Sequence, residues 1–169
     1  MSRKLDRIDQ KIIAILQRDA RISNQALAGI ICLSPRACLD RVKKLERDGI
    51  IQQYSVYINF EELADNITVF AEVTMRDQRT GTQINFELRM RDTPEVISCH
   101  LVSGSFDYLV RLVCQDFEHY RVLTSRWLDE TTLGVARVVS LPQIQTIKET
   151  YGIPIQVLYP RVTSEEIDE

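Results

Sequence analysis

Arg36, Arg41, Lys43, Lys44 and Arg47 all fall within one short stretch of this chain, Ser34–Gly49. The chemistry open to such a set is neutralisation of phosphates and, from the arginines, hydrogen bonding to base edges. Ser34 can cap a helix, and Pro35 fits its first position, where no N–H is needed. Gly49 supplies the left-handed residue that ends one. Between these marks Cys38, Val42 and Leu45 recur at helical spacing, so one stripe faces a core while the cations project elsewhere, with Asp40 the main exception. Such a helix can lie in a DNA major groove with its first turn on base edges and its flank on phosphates. A solvated surface helix has the same composition, and what separates the two readings is the sequence before it.

A second candidate lies at His100-Leu-Val-Ser-Gly-Ser-Phe-Asp-Tyr108. Gly104 allows a left-handed turn that exposes N–H groups to a small anion, and Asp107 can hold an ammonium group. A free amino acid carries both charges a few ångströms apart. Glycine and aspartate are also default turn residues, so residue types alone leave an ordinary hairpin open. His100 and His119 have no paired nucleophile or metal-ligand partner in sequence, which argues against an enzyme. Cys32, Cys38, Cys99 and Cys114 lack metal-ligand spacing and read as reduced, small core residues. Neither a metal nor a cofactor is expected.

The elements that position these residues are readable from periodicity. Leu5, Ile8, Ile12, Ile15 and Leu16 give a first helix over roughly Asp6–Arg18. Ser23 opens a second, with Leu27, Ala28, Ile31 and Cys32 as apolar positions, and Ser34 opens the third after a short turn. Ile50–Asn59 is rich in β-branched and aromatic residues and reads as a strand. Three helices and a strand make a helix-turn-helix with a wing. Asn59–Asn66, with a short helical candidate at Glu61–Leu63, reads as a hinge. Strands follow at Ile67–Met75, Val96–Val102, Asp107–Cys114 and Val135–Ile147, with helices at Thr82–Arg91 and Phe117–Leu128, and Pro142 bending the last strand or placing it at an edge. Trp127, Tyr120 and Leu123 read as core or subunit-contact residues. The order is that of a ferredoxin-like βαββαβ domain, so the class is α+β.

Charge follows the same division. Residues 1–59 hold 11 Lys/Arg against 6 Asp/Glu, and residues 60–169 hold 10 against 18. A basic front and an acidic rear suit a nucleic-acid module followed by one that avoids phosphate. An apolar fraction of 44% suffices for a packed core. No run approaches bilayer length and Met1–Asp9 is too polar for a signal peptide, so a soluble, cytoplasmic protein without membrane contact is expected. The expected domains are 1–59, a hinge at 60–66, 67–160, and an acidic, disordered tail at 161–169.

Leu5-Asp-Arg-Ile-Asp9, Arg21-Ile-Ser-Asn24, Leu33-Ser-Pro-Arg-Ala-Cys-Leu-Asp-Arg-Val42 and Leu45-Glu-Arg-Asp-Gly-Ile50 closely resemble the Lrp/AsnC family of bacterial and archaeal transcription regulators. The likeness extends to about Lys148. It implies a winged helix-turn-helix followed by a ferredoxin-like effector-sensing and assembly domain (RAM), binding double-stranded DNA and a small effector such as an amino acid. It also implies homo-oligomers: dimers that gather into tetramers, octamers or larger rings. Arg36, Ala37 and Asp40 are then candidates near base edges, Ser34 at the helix start is a further DNA-binding candidate, and Arg41, Lys43, Lys44 and Arg47 are candidate phosphate contacts or helix-packing cations.

Gly104, Asp107 and Tyr108 match the family's G-x-x-D-Y effector loop, with His100, Val102 and Ser105 beside them as further candidates. Two departures are present: Thr132-Leu-Gly-Val135 replaces an L-P-G-V pattern, and Val138-Val-Ser140 replaces a T-x-T. Both make the side-chain end of the pocket more apolar and favour leucine-like effectors over asparagine-like ones. Siroheme decarboxylases resemble the same two-domain arrangement, so an enzyme is one alternative, and a largely nonspecific architectural DNA-binding protein is another.

Overall fold

The computed structural model describes residues 5–59, 62–77, 79–149 and 155–159. The chain divides into two compact units, Met1–Tyr57 with Lys148–Glu169, and Ile58–Ile147.

The front unit is built from three helices, each started by a side-chain cap that accepts an otherwise unpaired amide. α1 (Arg7–Arg18) begins where the Asp6 carboxylate accepts Asp9 N–H at 2.8 Å. α2 (Asn24–Ile30) begins where Ser23 Oγ accepts Ala26 N–H at 3.1 Å. α3 (Pro35–Arg47) begins where Ser34 Oγ accepts Ala37 N–H at 3.2 Å. Ile12, Ile15, Leu27, Ala28, Ile31, Cys38 and Leu45 are buried together between the helices. The turn from α2 to α3 is closed by Leu33 N–H donating to Ala28 O, with Cys32 at φ 55. Cys32 is therefore an exposed turn residue and not part of the apolar face of α2.

Two expectations for this unit need correction. Residues 52–59 form no strand, and Tyr54, Val56, Tyr57 and Ile58 are exposed. The composition is right for a strand, but a ladder needs a second segment, and none of the described residues supplies one. The rear domain was also expected to run to residue 160. Instead, a short helix α6 (Ile155–Leu158) belongs to the front unit, where Ile155 is buried in the helical core. The tail expected at 161–169 and part of the helical candidate at Glu61–Leu63 lie outside the described residues.

The rear unit runs β1 (Ile67–Met75), α4 (Thr80–Asp92), β2 (Val96–Leu101), β3 (Tyr108–Cys114), α5 (Phe117–Asp129), a 3-10 turn (Thr131–Leu133) and β4 (Val135–Pro142). The sheet order is β2-β3-β1-β4, with every neighbouring pair antiparallel. Alternation along β1 and β3 sends Val69, Ala71, Val73, Tyr108, Val110 and Leu112 to the helix-covered face, where Phe86, Met90 and Trp127 meet them. On α4 the apolar residues divide between the two sides of the helix. Phe86 and Met90, one turn apart, are buried, whereas Ile84 and Leu88 are exposed. Pro142 ends β4, an edge strand, where its missing N–H removes no ladder bond.

Candidate functional site

On α3 the buried stripe fixes what the remaining side chains can do. Cys38 and Leu45 are sealed in the core, so Arg36, Asp40, Lys43, Lys44 and Arg47, at helical spacing on the other side, stand in solvent. Arg36 Nε pairs with Asp40 Oδ2 at 3.2 Å, one turn along, with both side chains largely exposed. A pair this open contributes little to stability and separates readily for a partner. Ser34 is used as the cap, and Ala37, half-buried in the first turn, is the small residue between cap and core. The helix ends as Gly49 takes φ 71 and Ile50 N–H reaches back to Leu45 O at 2.9 Å.

Arg41 differs from the other cations. It is three residues after Cys38 and four before Leu45, on the buried flank. Its Nη1 donates to Asp6 Oδ2 at 2.6 Å and to Asp9 Oδ1 at 2.7 Å. Of the two roles expected for Arg41, the structure supplies the packing one: it ties α3 to the N-terminus of α1. Burial raises the Asp6 pKa, but the Asp9 amide and the Arg41 guanidinium outweigh it and hold the carboxyl below its ordinary value. A second brace was not legible in the sequence: Asn24 Nδ2 donates to Pro35 O at 2.8 Å and sets the start of α3 against α2. A third is Tyr54, whose hydroxyl donates to Glu46 Oε1 at 2.9 Å. Burial, then Glu46, push its phenol up to about 12, so it remains a donor at neutral pH.

Two outcomes follow for α3. Ser34→Ala should destabilise the front unit by about 1 kcal/mol, measured by denaturant unfolding, because it removes the cap of the helix. Arg36→Ala should flatten base preference at one position by roughly tenfold in selection from random DNA, if Arg36 reads a base edge.

In the rear unit, β2 and β3 are joined by a loop closed by Val102 N–H donating to Asp107 O at 2.9 Å. Gly104 sits at φ 151, a region open to glycine, and a β-carbon there would meet nothing within 4 Å. Asp107 Oδ2 accepts Met75 N–H at 2.7 Å, where the β1–β4 register shifts at Thr74/Met75. Among the described residues no side chain takes the other carboxylate oxygen. A depression of about 300 Å³ lies here, lined by Thr74, Arg76, Asp77, Gly104, Ser105 and Asp107 among others. Arg76, one of the lining residues, has its guanidinium held by Nε donating to Val135 O at 3.0 Å. The hydroxyl of Thr74 is buried with no partner among the described residues.

The structure thus gathers Gly104, Ser105 and Asp107, and adds the end of β1, which sequence reading missed. It does not bring the other three candidates there. Tyr108 alternates onto the helix-covered face, packs against Phe86 with tilted rings 4.7 Å apart and donates to Glu87 Oε1 at 3.1 Å. His100 is exposed on the opposite face of the sheet, beside Leu109, and Val102 serves through its backbone. His119 meets Glu95 Oε1 through Nε2 at 3.0 Å. Of the altered last-strand residues, Val138 packs on the core and Ser140 Oγ bonds the Tyr120 hydroxyl at 2.7 Å. Gly134 takes φ 65, and a β-carbon there would collide with the Thr82 side chain.

Among the described residues no group of three or more His, Cys, Asp and Glu is placed to hold a metal ion. No helix among them is long and apolar enough to cross a membrane.

Comparison with known proteins agrees with this division of labour. Residues 5–52 match the winged helix-turn-helix DNA-binding family, and residues 68–153 match the Lrp/AsnC ligand binding domain. The leucine-responsive regulatory protein of Escherichia coli (strain K12) is 41% identical over 134 residues, covering 79% of each chain. A transcriptional regulator from Neisseria meningitidis, solved as an L-Met complex, has a TM-score of 0.83 and 31% identity, covering 92% of this chain and 99% of its own. An AsnC family transcriptional regulator from Agrobacterium tumefaciens gives 0.82 and 28%, covering 91% and 99%. These relatives are transcription regulators rather than enzymes. With a DNA-binding helix-turn-helix in front and a ligand-binding domain behind, this chain belongs to the Lrp/AsnC family of transcription regulators.

Proposed function

We propose that the protein is a sequence-specific regulator whose assembly and DNA binding respond to a small amino acid. The observation that carries this reading is the sorting of cations on α3. Arg41 is consumed inside the unit, whereas Arg36, Lys43, Lys44 and Arg47 stand exposed along one face. On this reading Arg36, Ala37 and Asp40 lie near base edges, and Lys43, Lys44 and Arg47 meet phosphates. One helix reads few base pairs, so the working form is a symmetric homo-oligomer, at least a dimer, with half-sites ~34 Å apart. Its place of work is the cytoplasm.

For the effector, the depression beside Gly104 offers one oxygen of Asp107 and a turn in which the Gly104 and Ser105 N–H groups make no backbone bond among the described residues. That combination suits a carboxylate and an ammonium on one small molecule. The relative solved with L-Met supports an amino acid as the class. Asp107→Asn is the informative variant. It keeps an oxygen for Met75 N–H while removing the charge that an ammonium needs. The expected result is a thermal shift by aliphatic amino acids in the wild type, reduced at least tenfold in apparent affinity in Asp107→Asn, with DNA binding retained. Equal loss of DNA binding in the variant would contradict the separation of roles. Selection from random DNA that returns no preferred site would favour the nonspecific architectural alternative.

A further inference from the structure

The rear unit has a second recess, of about 330 Å³, between the last turns of α4 and the edge strand β2. It shares no lining residue with the depression beside Gly104. Two ionic groups border it. Glu87 is half-buried and accepts the Tyr108 hydroxyl through Oε1 at 3.1 Å, and no described residue takes its second oxygen. Arg91, exposed, follows one helical turn later, which places the two side chains ~5–6 Å apart at their β-carbons.

Ser98 and Tyr108 also line the recess, and its apolar part includes Met90, Val96, Cys99 and Leu101. Burial, then the Glu87 charge, push the Cys99 thiol up to about 11, so it lines the recess as a neutral group. Because Val102 N–H turns inward to Asp107 O, alternation turns the main chain of Leu101 outward along the open edge.

We propose that this recess is a second small-molecule site, taking an aliphatic α-amino acid with its ammonium on Glu87 and its carboxylate on Arg91. The reasoning is by charge. A simple anion would face Glu87, a simple cation would face Arg91, and an uncharged apolar ligand would leave both groups unmatched while covering them. A zwitterion matches both, and its side chain covers Met90, Val96 and Leu101. The volume is at the lower end for a ligand pocket, which suits a molecule of this size.

The chain carries three methionines, Met1, Met75 and Met90, and two of them report on different sites. Met75 lines the depression beside Gly104, and Met90 lines this recess. With ¹³C-methyl-labelled methionine in the full chain, titration by L-leucine, L-valine and L-methionine should move the Met90 methyl saturably. That movement should persist in Asp107→Asn and shift to at least tenfold higher ligand concentration in Arg91→Ala and Glu87→Gln. 4-Methylpentanoate and 3-methylbutylamine, each lacking one charge, should bind at least tenfold more weakly than L-leucine. A Met90 methyl unmoved by all three amino acids would overturn the proposal. So would an unchanged titration in Arg91→Ala, or equal binding by the amine alone. The Met75 methyl reports the loop site separately, so either assignment can fail without the other.

Discussion

Replacing Lys43, Lys44 and Arg47 together by alanine should lower DNA affinity on the order of 10²-fold at physiological salt and make its salt dependence shallower by about 2.7 in log–log slope per bound subunit. The argument is electrostatic. Each phosphate neutralised by one of these side chains releases a condensed counterion, at about 0.9 units of slope per contact. All three side chains are exposed on α3, so their loss should leave the unfolding midpoint nearly unchanged. The helix they stand on is held by its cap, by the backbone bonds of its C-terminal turn and by its buried stripe, none of which uses a hydrogen bond from their side chains. Measured by fluorescence anisotropy over a salt series, an unchanged slope would remove this face from the DNA.

Arg41→Ala should behave in the opposite way. It leaves Asp9, which is 7% exposed, beside Asp6 with no cation between them, so the front unit should lose about 1–3 kcal/mol. At temperatures where the variant is still folded, its salt slope should equal that of the wild type, because Arg41 is committed to the protein. The same tie has a pH signature. The Asp6 pKa is lowered on folding, so its contribution is present above the ordinary carboxylate range and is lost as pH falls through the folded value. Acid unfolding of the wild type should therefore show a carboxylate-linked loss of stability, and Arg41→Ala should show less of it. A wild-type stability with the same acid dependence as Arg41→Ala would contradict the tie.

These two variants also show where the sequence was informative. The bounds of α3 were legible because Ser34, Pro35 and Gly49 act locally. Arg41 was read with the outward cations, as a phosphate contact or a helix-packing one, and its place on the buried flank emerged only in the structure. Its partners were not legible, because Asp6 and Asp9 lie far away in the chain and only tertiary packing brings them near. The four rear strands followed from alternation, whereas residues 50–59 have strand composition but no described partner to pair with. In the loop between β2 and β3, Gly104 and Asp107 were marked by type. Tyr108 lies on the helix-covered face, away from the depression, because adjacent strand residues point to opposite faces. The contribution of Thr74 and Arg76 to the depression depends on how the end of β1 lies beside the β2–β3 loop, which no local pattern encodes.

The central claim is that one small molecule and DNA are coupled through this chain. Thermodynamic linkage makes that claim measurable in both directions, because the factor by which an amino acid changes DNA affinity must equal the factor by which DNA changes amino-acid affinity. The decisive measurement is calorimetric titration of L-leucine and L-methionine into the protein, free and bound to a selected operator, alongside operator binding with and without each amino acid. The account predicts matching factors in the two directions, at least fivefold for one of these amino acids and close to one in Asp107→Asn. Amino-acid binding that is identical in the free and operator-bound protein would contradict it.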